Sequence, residues 1–231
     1  MNKVTIILPV YKGNEMTLKT IESIRKNTFY PYEMFVIADD FNEDYSYLSK
    51  LDKVNHISKI ILRQEREGVI SAINDGILLT NNDIVLIQND AEFPDLGENC
   101  WLTRLVNKVT DKVGMVGCQN SVRERAEHGY IGGWCCFIPR KIINRVGLLD
   151  EIYGFAMMDD IDYARRVQVR GLTLETEASF EVKHLDSQTL KGDGNKQEEW
   201  KKRNWDIYCE KWKDYKVDMT EEQLKRYDFW R

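Results

Sequence analysis

The sequence lacks any run of 18 apolar residues, so no segment of it is long and apolar enough to cross a bilayer as a helix. The apolar stretch Val4 to Val10, behind Met1-Asn2-Lys3, is too short for a signal-peptide core, and no cleavage-site pattern follows it. The expected place is therefore the cytoplasm, with the inner face of the membrane as the variant. There is no excess of basic residues: 33 Lys and Arg stand against 38 Asp and Glu, for a formal net charge of -5. That balance argues against a nucleic-acid partner, because sequence-independent binding needs a basic surface. The five cysteines, Cys100, Cys118, Cys135, Cys136 and Cys209, lack metal-ligand spacing, and free buried thiols in a reducing compartment are expected. Cys135 and Cys136 would alternate faces of a strand. No internal repeat and no low-complexity segment is present.

What is there is ordinary for a globular chain of 231 residues: 42% hydrophobic and 31% charged, enough for one large domain or one domain with an appendage. The feature that organises it is Gln88-Asn89-Asp90-Ala91-Glu92, directly after the apolar run Ile84-Val85-Leu86-Ile87, three of whose residues are β-branched. A buried strand that runs into polar groups ends at the rim of its sheet, where open α/β sheets bind ligands. Asp90 and Glu92 are two apart, so an extended backbone points both to one side. Two such carboxylates suit a shared Mg²⁺ or Mn²⁺, particularly with a diphosphate supplying further ligands. The same residues also read as a solvated turn.

Along the chain, Val4–Val10 reads as a central strand and Asn14 as the N-cap of a helix from Glu15 to Lys26. A second strand, Glu33 to Ala38, runs into Asp39-Asp40, giving a βαβ unit with a right-handed crossover. Asn42 to Asp52 reads as a short helix, Lys59 to Arg63 as a strand, and Val69 to Leu79 as a helix with Ile70, Ile73, Ile77 and Leu78 on one face. Three strands thus end in polar residues, at Tyr11, Asp39-Asp40 and Asp90, which describes a nucleotide-binding rim of a doubly wound sheet. Further on, a helix is expected from Leu96 to Val109, with Trp101, Leu102 and Leu105 buried. Strands are expected at Val113–Cys118, Gly132–Ile138, Thr173–Thr176 and Ser179–His184. Pro139 opens one helix and Asp159-Asp160-Ile161-Asp162 another, which Gly171 caps. Ser187 to Asn195 reads as a polar loop. In the tail, Trp205, Tyr208, Trp212 and Tyr215 recur at offsets of three, four and three, one face of a helix. That helix either packs back on the domain or offers an aromatic, Lys-rich face to a membrane surface or a partner.

These stretches together resemble a known family. Ile7-Leu8-Pro9-Val10-Tyr11, Asp39-Asp40, Glu67-Gly68 through Asn74-Asp75-Gly76, and Gln88-Asn89-Asp90 are similar to the nucleotide half of glycosyltransferase family 2, inverting enzymes of the GT-A fold. Gly132-Gly133, Val146 to Glu151, and Phe155 through Asp159-Asp160-Ile161-Asp162 to Arg166 are similar to its acceptor half. The resemblance runs from Val4 to His184, and its nearest flavour is rhamnosyltransferase-like. It implies a mostly parallel, Rossmann-like mixed sheet flanked by helices. Residues 1–195 would form the GT-A domain (1–95 the nucleotide half, 96–195 the acceptor half), and residues 196–231 an aromatic-rich helical extension.

The resemblance also implies roles. Pro9, Val10, Tyr11, Glu15, Asp39, Asp40, Gly68, Asn74, Asn89 and Asp90 would hold a nucleoside-diphosphate sugar, UDP first among donors, with Asp39 accepting from the pyrimidine N3–H. Asp90, Glu92 and His184 would hold Mn²⁺ or Mg²⁺, His184 alternatively touching phosphate. Asp160 would be the general base, and Gly133, Trp134 and Asp159 would meet the acceptor, a glycan or lipid-linked glycan. The chain departs from the family pattern in three places: Gln88 or Asn89 stands for the first Asp of the D-x-D, Asp159 for a Glu, and Trp134-Cys135-Cys136 in the acceptor region. Asp160, opening a helix, would be held ionised by the helix dipole. A nucleotidyltransferase is the competing enzyme class, but Tyr11-Lys12-Gly13-Asn14-Glu15 is a poor phosphate loop. A degenerate nucleotide-binding scaffold is the non-enzymatic alternative.

Overall fold

A computed structural model describes residues 2–12, 14–40, 42–48, 57–123, 129–185 and 196–214. Its centre is strand β1, Val4–Val10, every residue of which is buried. Burial on both faces is what a central parallel strand demands, and it explains the unbroken apolar run. On one side β1 pairs in parallel with β2, Tyr32–Ala38, which in turn pairs with β3, Lys59–Leu62. On the other side it pairs in parallel with β4, Asp83–Leu86. Helix α1, Asn14–Asn27, connects β1 to β2, and α2, Val69–Leu78, connects β3 to β4. The βαβ reading holds, and the polar ends of β1, β2 and β4 do lie side by side.

Beyond the two-residue strand β5 (Ala91–Glu92), helix α3 covers Trp101–Asn107. It is shorter than the periodicity suggested. Gly97 in the left-handed region at φ 64° keeps residues 97–99 in turn and bend conformations, so the helix starts only after Cys100. Trp101, Leu102 and Leu105 are buried as expected. Strand β6, Val113–Cys118, follows. Short strands β7 (Val122–Arg123) and β8 (Tyr130–Ile131) pair with each other. The strand expected from Gly132 is confined to β9, Cys136–Ile138, because Gly132 to Cys135 form a tight turn. A Cβ on Gly132 would lie 2.1 Å from the Trp134 ring, so a larger residue there would displace that ring.

Strand β9 runs antiparallel between β4 and β6, and β6 pairs in parallel with β10, Thr173–Glu177. The result is a seven-stranded sheet in the order β10-β6-β9-β4-β1-β2-β3. Helices α4 (Arg140–Val146) and α5 (Asp159–Gln168) complete the second half. A small strand β11, Lys183–His184, pairs antiparallel with β5, so only the last two residues of the expected Ser179–His184 strand form one.

Two apolar layers sandwich the sheet. Cys135 packs into one and Cys136 into the other, as alternation along a strand requires. Four cysteines are buried and free; Cys209, on the last helix, is exposed, against expectation. Leu78 also departs from the reading: at 69% exposed it has left the apolar face of α2. Of the short helix expected from Asn42 to Asp52, residues 46–48 are helical and 42–45 are not, while 49–52 lie outside the described residues. The expected Ser187–Asn195 loop and Tyr215 lie outside the described residues.

The last helix, α6 (Lys196–Trp212), packs back on the domain. Tyr208 is buried, and Trp205 and Trp212 lie against the same apolar layer as α2 and α5. Polar contacts fix it further. The fully buried Asn204 amide donates to the carbonyls of Tyr153 (2.7 Å), Ala156 (2.8 Å) and Met157 (3.2 Å). Asp162, also fully buried, accepts from Tyr153 Oη, Trp212 Nε1 and Arg166 Nε, and Lys211 Nζ lies 2.8 Å away. The Arg166 contact is the four-residue pair expected on a helix. Among the described residues, no helix is long and apolar enough to cross a membrane.

Candidate active site

Two chambers open side by side at the carboxyl ends of β1, β2 and β4. They share three residues, Pro9, Val69 and Gln88. The smaller, about 80 Å³, is lined by Val10, Tyr11, Asp39, Arg66, Gly68, Asn89, Asp90 and Phe155 besides the shared three. The larger, about 220 Å³, has a mostly apolar wall that includes Met115, Trp134, Met157 and Met158, with Asp159, Asp160 and His184 as polar members.

Asp39 organises the floor of the smaller chamber. Its Oδ1 accepts from Arg63 Nη1 at 2.8 Å and from the Glu67 amide at 3.0 Å, and its Oδ2 accepts from the Gly68 amide at 2.8 Å. Three of the roughly four acceptor positions of a carboxylate are thus engaged by the chain itself. Asp39 therefore first folds the 63–68 loop and has at most one position left for a base N–H. Gly68, at φ 99°, brings that loop against Phe155, whose Cα would lie 2.4 Å from an added Cβ. The Val69 amide donates to the Phe155 carbonyl at 2.9 Å, which locks the contact.

Asp90 is buried at the boundary of the two chambers. His184 Nε2 lies 3.1 Å from its Oδ1 and 2.9 Å from Gln88 Oε1. The His184 ring stacks on Trp134, with centroids 4.7 Å apart and planes 7° from parallel. Glu92 is not part of this group. Its carboxylate is held by Lys183 Nζ at 3.1 and 3.2 Å, because the β5–β11 pairing puts Lys183 opposite it. The shared-cation reading of Asp90 with Glu92 is corrected accordingly, and among the described residues no three His, Cys, Asp or Glu side chains are grouped so that they could hold a metal ion by themselves. Asp90 and His184 suit a divalent ion held jointly with a diphosphate, since such ions commonly rest on one or two carboxylates plus substrate phosphates.

In the larger chamber, Asp159 and Asp160 form the first turn of α5. The carboxyls of both are pushed above the ordinary Asp range, chiefly by desolvation and further by mutual repulsion or by Asp162. This overturns the expectation that the helix dipole leaves Asp160 an ordinary acid. The dipole and the Ile161 amide (2.9 Å) do favour its charge, as does the Gly133 amide, but the apolar wall outweighs them. The two residues before the helix, Met157 and Met158, both have left-handed backbones at φ 76° and 72°. Such conformations cost a side-chain-bearing residue about 1–2 kcal/mol each, and α6 offsets the strain by gripping the preceding carbonyls.

Several expected ligand residues stand elsewhere. Asn74 is a buried clamp between halves: its amide donates to the Leu149 carbonyl and Glu151 Oε1, and its Oδ1 accepts from the Leu149 amide. Asp40 caps its own turn through the Asn42 amide, and Glu15 is exposed on α1. Neither lines a chamber. Reasoning from sequence assigned no ligand role to Arg66, Gln88, Phe155, Met157, Met158 and, from α6, Lys201, all of which line a chamber. Gln88 alone carried a signal, as the polar residue directly after a buried strand.

The fold is that of the GT-A glycosyltransferases. The chain belongs to glycosyl transferase family 2, whose model matches residues 5–159. An uncharacterized glycosyltransferase of Rickettsia bellii (strain RML369-C) is 37% identical over 75 residues, 32% of this chain and 11% of that one. Among solved structures, the mannosyltransferase PcManGT of Pyrobaculum calidifontis, in complex with GDP-Man and Mn²⁺, superposes with a TM-score of 0.67 at 16% identity. That match covers 81% of this chain and 58% of the other. GalNAc-T7 with UDP, GalNAc and Mn²⁺ gives 0.65 at 14% identity, over 75% and 42%. The chain thus spans less than two thirds of each of these relatives.

Proposed function

We propose that this chain is an inverting glycosyltransferase. It would move a sugar, a hexose in the first instance, from a nucleoside-diphosphate sugar to a hydroxyl of a glycan or lipid-linked glycan. UDP and dTDP sugars are the first donors to try, and the reaction would take place at the cytoplasmic face of the membrane. The observation that carries the reading is the pair of adjoining chambers, with Asp90 lining one and Asp160 lining the other. In-line displacement with inversion needs the acceptor base and the diphosphate pocket on opposite sides of the sugar, supplied by different segments.

The smaller chamber would take the nucleotide, with Pro9, Val10, Tyr11, Asn89 and Gly68 around the base and ribose. Asp90 and His184 would hold Mn²⁺ or Mg²⁺, which when bound neutralises charge on the leaving diphosphate. That both solved relatives were captured with Mn²⁺ and a nucleotide or nucleotide sugar supports the choice of ions. In the larger chamber, Trp134 and Gly133 would orient the acceptor so that one hydroxyl meets Asp160. A carboxylate whose pKa is raised is more basic and accepts that proton more readily than an ordinary Asp. Asp159, alongside, would keep Asp160 raised and contact the acceptor. The apolar Met115, Met157 and Met158 wall would exclude water, which would otherwise compete as acceptor.

A thermal-shift panel of nucleoside diphosphates, nucleotide sugars and divalent ions tests the donor side, since stabilisation follows ligand concentration over Kd. Metal-dependent stabilisation by a nucleoside diphosphate is expected. Transfer from the nucleotide sugar that stabilises most should then vanish in Asp160→Asn while nucleotide binding persists. Binding without transfer or hydrolysis across the panel would instead favour a nucleotide-binding scaffold.

A further inference from the structure

Four residues from four distant segments meet at the mouth of the smaller chamber. The Arg66 guanidinium carbon lies 3.8 Å from the centroid of the Tyr11 ring, 5.4 Å from that of Phe155 and 6.0 Å from that of Trp200. Phe155 and Trp200 stack on each other, centroids 5.3 Å apart and planes 16° from parallel. Tyr11 ends β1, Phe155 precedes the Asp159-Asp160 turn, and Trp200 is in α6. A planar cation on one aromatic face, with two more aromatic rings nearby, occupies the kind of space that a planar heteroaromatic ring would fill.

We infer that the space between Tyr11 and the Phe155–Trp200 pair is a slot for a nucleobase, which Arg66 fills until a nucleotide enters. Trp200 of α6 then acts as a positioning residue that holds the Phe155 ring as the outer wall. This rests on the smaller chamber being the nucleotide site, and it extends that site to a helix beyond the 5–159 span that matches the family. Three features support it. Tyr11, Arg66 and Phe155 all line this chamber. The backbone carrying Phe155 is fixed from both sides, by the Val69 amide and Gly68 on one and by Asn204 of α6 on the other. The next residue of α6, Lys201, lines the larger chamber, so the start of this helix serves both. Released from Tyr11, the Arg66 guanidinium would stay beside the chamber, suited to the phosphates of the ligand that replaced it.

The test uses the full chain with Mn²⁺ and isothermal titration of UDP, dTDP and inorganic pyrophosphate. Without Trp200 behind it the Phe155 ring stacks on the base less firmly, so Trp200→Ala should weaken the preferred nucleoside diphosphate about five-fold or more, while Trp200→Phe, which keeps an aromatic ring against Phe155, stays within about two-fold. Pyrophosphate, which has no base, should bind both variants like the wild type. Asn204, Tyr208 and Trp212 remain to hold α6, and an unchanged melting temperature verifies that. Unaltered nucleotide affinity in Trp200→Ala overturns the proposal, as does equal weakening of nucleotide and pyrophosphate. If the wild-type chain binds neither nucleotide, the nucleotide site itself is wrong, which is a separate failure.

Discussion

His184 Nε2 lies 3.1 Å from the buried Oδ1 of Asp90 and 2.9 Å from Gln88 Oε1, joining β11 to the end of β4. The imidazole nitrogen hydrogen-bonds with Gln88 and lies within ion-pair distance of Asp90, so the three side chains sit together at the chamber boundary. If this unit receives a divalent ion with the diphosphate, Asp90→Asn should remove the metal-dependent part of nucleotide binding. His184→Ala should lower metal affinity about 10- to 100-fold, the range for groups that tune a metal site. Chelation should bring the wild type to the level of Asp90→Asn. Equal nucleotide affinity with Mn²⁺ and with chelator would remove the metal from the reading.

The Asp159–Asp160 pair sets a pH dependence. To act as the proposed base Asp160 must be unprotonated, and burial pushes its pKa above the ordinary Asp value. The acid limb of kcat/KM should therefore lie above the usual pH of about 4, with rate rising as pH rises. Asp159→Asn removes the neighbouring charge and should move that limb to lower pH. A limb unmoved in Asp159→Asn would show that the two carboxyls do not interact.

The same shift acts on stability with the opposite benefit. A folded-state value raised above the unfolded one contributes stability below the unfolded value, lost as pH rises through the folded value. Asp160→Asn should therefore melt higher than the wild type at neutral pH, by about 2–4 °C for each kcal/mol recovered, although it abolishes transfer. Differential scanning calorimetry at pH 7.5 and pH 4 checks the sign: the gap between variant and wild type should shrink at the lower pH.

The sheet was legible because its signal is local. Val4–Val10 is largely apolar and β-branched since both faces are covered, and the polar residues after β1, β2 and β4 mark where that cover stops. Asp39 and Asp90 were found for the same reason. Their partners were not, since nothing in Arg63-Gln64-Glu65-Arg66-Glu67 distinguishes the arginine that folds the loop from the one that caps Tyr11. Asn74 and Glu92 misled because a polar residue beside a motif can serve packing, one as a clamp to Leu149 and the other as Lys183's partner. The tail showed the converse. Its aromatic spacing correctly gave a packed face, but Trp200, outside that spacing, is the aromatic that reaches the chamber mouth.

Arg63 and Asp39 form a nearly buried ion pair at 2.8 Å, with side-chain exposures of 8% and 4%. Arg63 also contacts Asp75 at 3.1 Å, Ser71 Oγ at 2.7 Å and Glu67. Removing one member of such a pair strands the other, so Arg63→Ala should cost about 3–5 kcal/mol of stability. The loop that Asp39 folds would loosen with it, weakening nucleotide binding as well. Urea unfolding and nucleotide titration on the same preparation measure both. A loss below about 1 kcal/mol would mean that water replaces Arg63 at no great cost.

Gly68 offers the most direct link between backbone geometry and ligand binding. At φ 99° it adopts a conformation that side-chain-bearing residues rarely take, and its amide donates to Asp39 Oδ2. An alanine there would be strained in φ, and its Cβ would come within 2.4 Å of the Phe155 Cα and 2.6 Å of its carbonyl oxygen, both backbone atoms that cannot rotate away. The 63–68 loop or the Phe155 segment must shift, and the bonds from the Gly68 amide to Asp39 and from the Val69 amide to Phe155 weaken with it. Gly68→Ala should therefore lower the melting temperature and also reduce nucleotide affinity, about ten-fold if one such bond is lost from the site. Asn74→Ala gives the contrast, because its buried clamp to Leu149 and Glu151 lines neither chamber. It should lower stability comparably while leaving the affinity of the folded fraction within about two-fold. Were Gly68→Ala to bind nucleotide as tightly as Asn74→Ala, the close approach of the loop to Phe155 would serve folding alone.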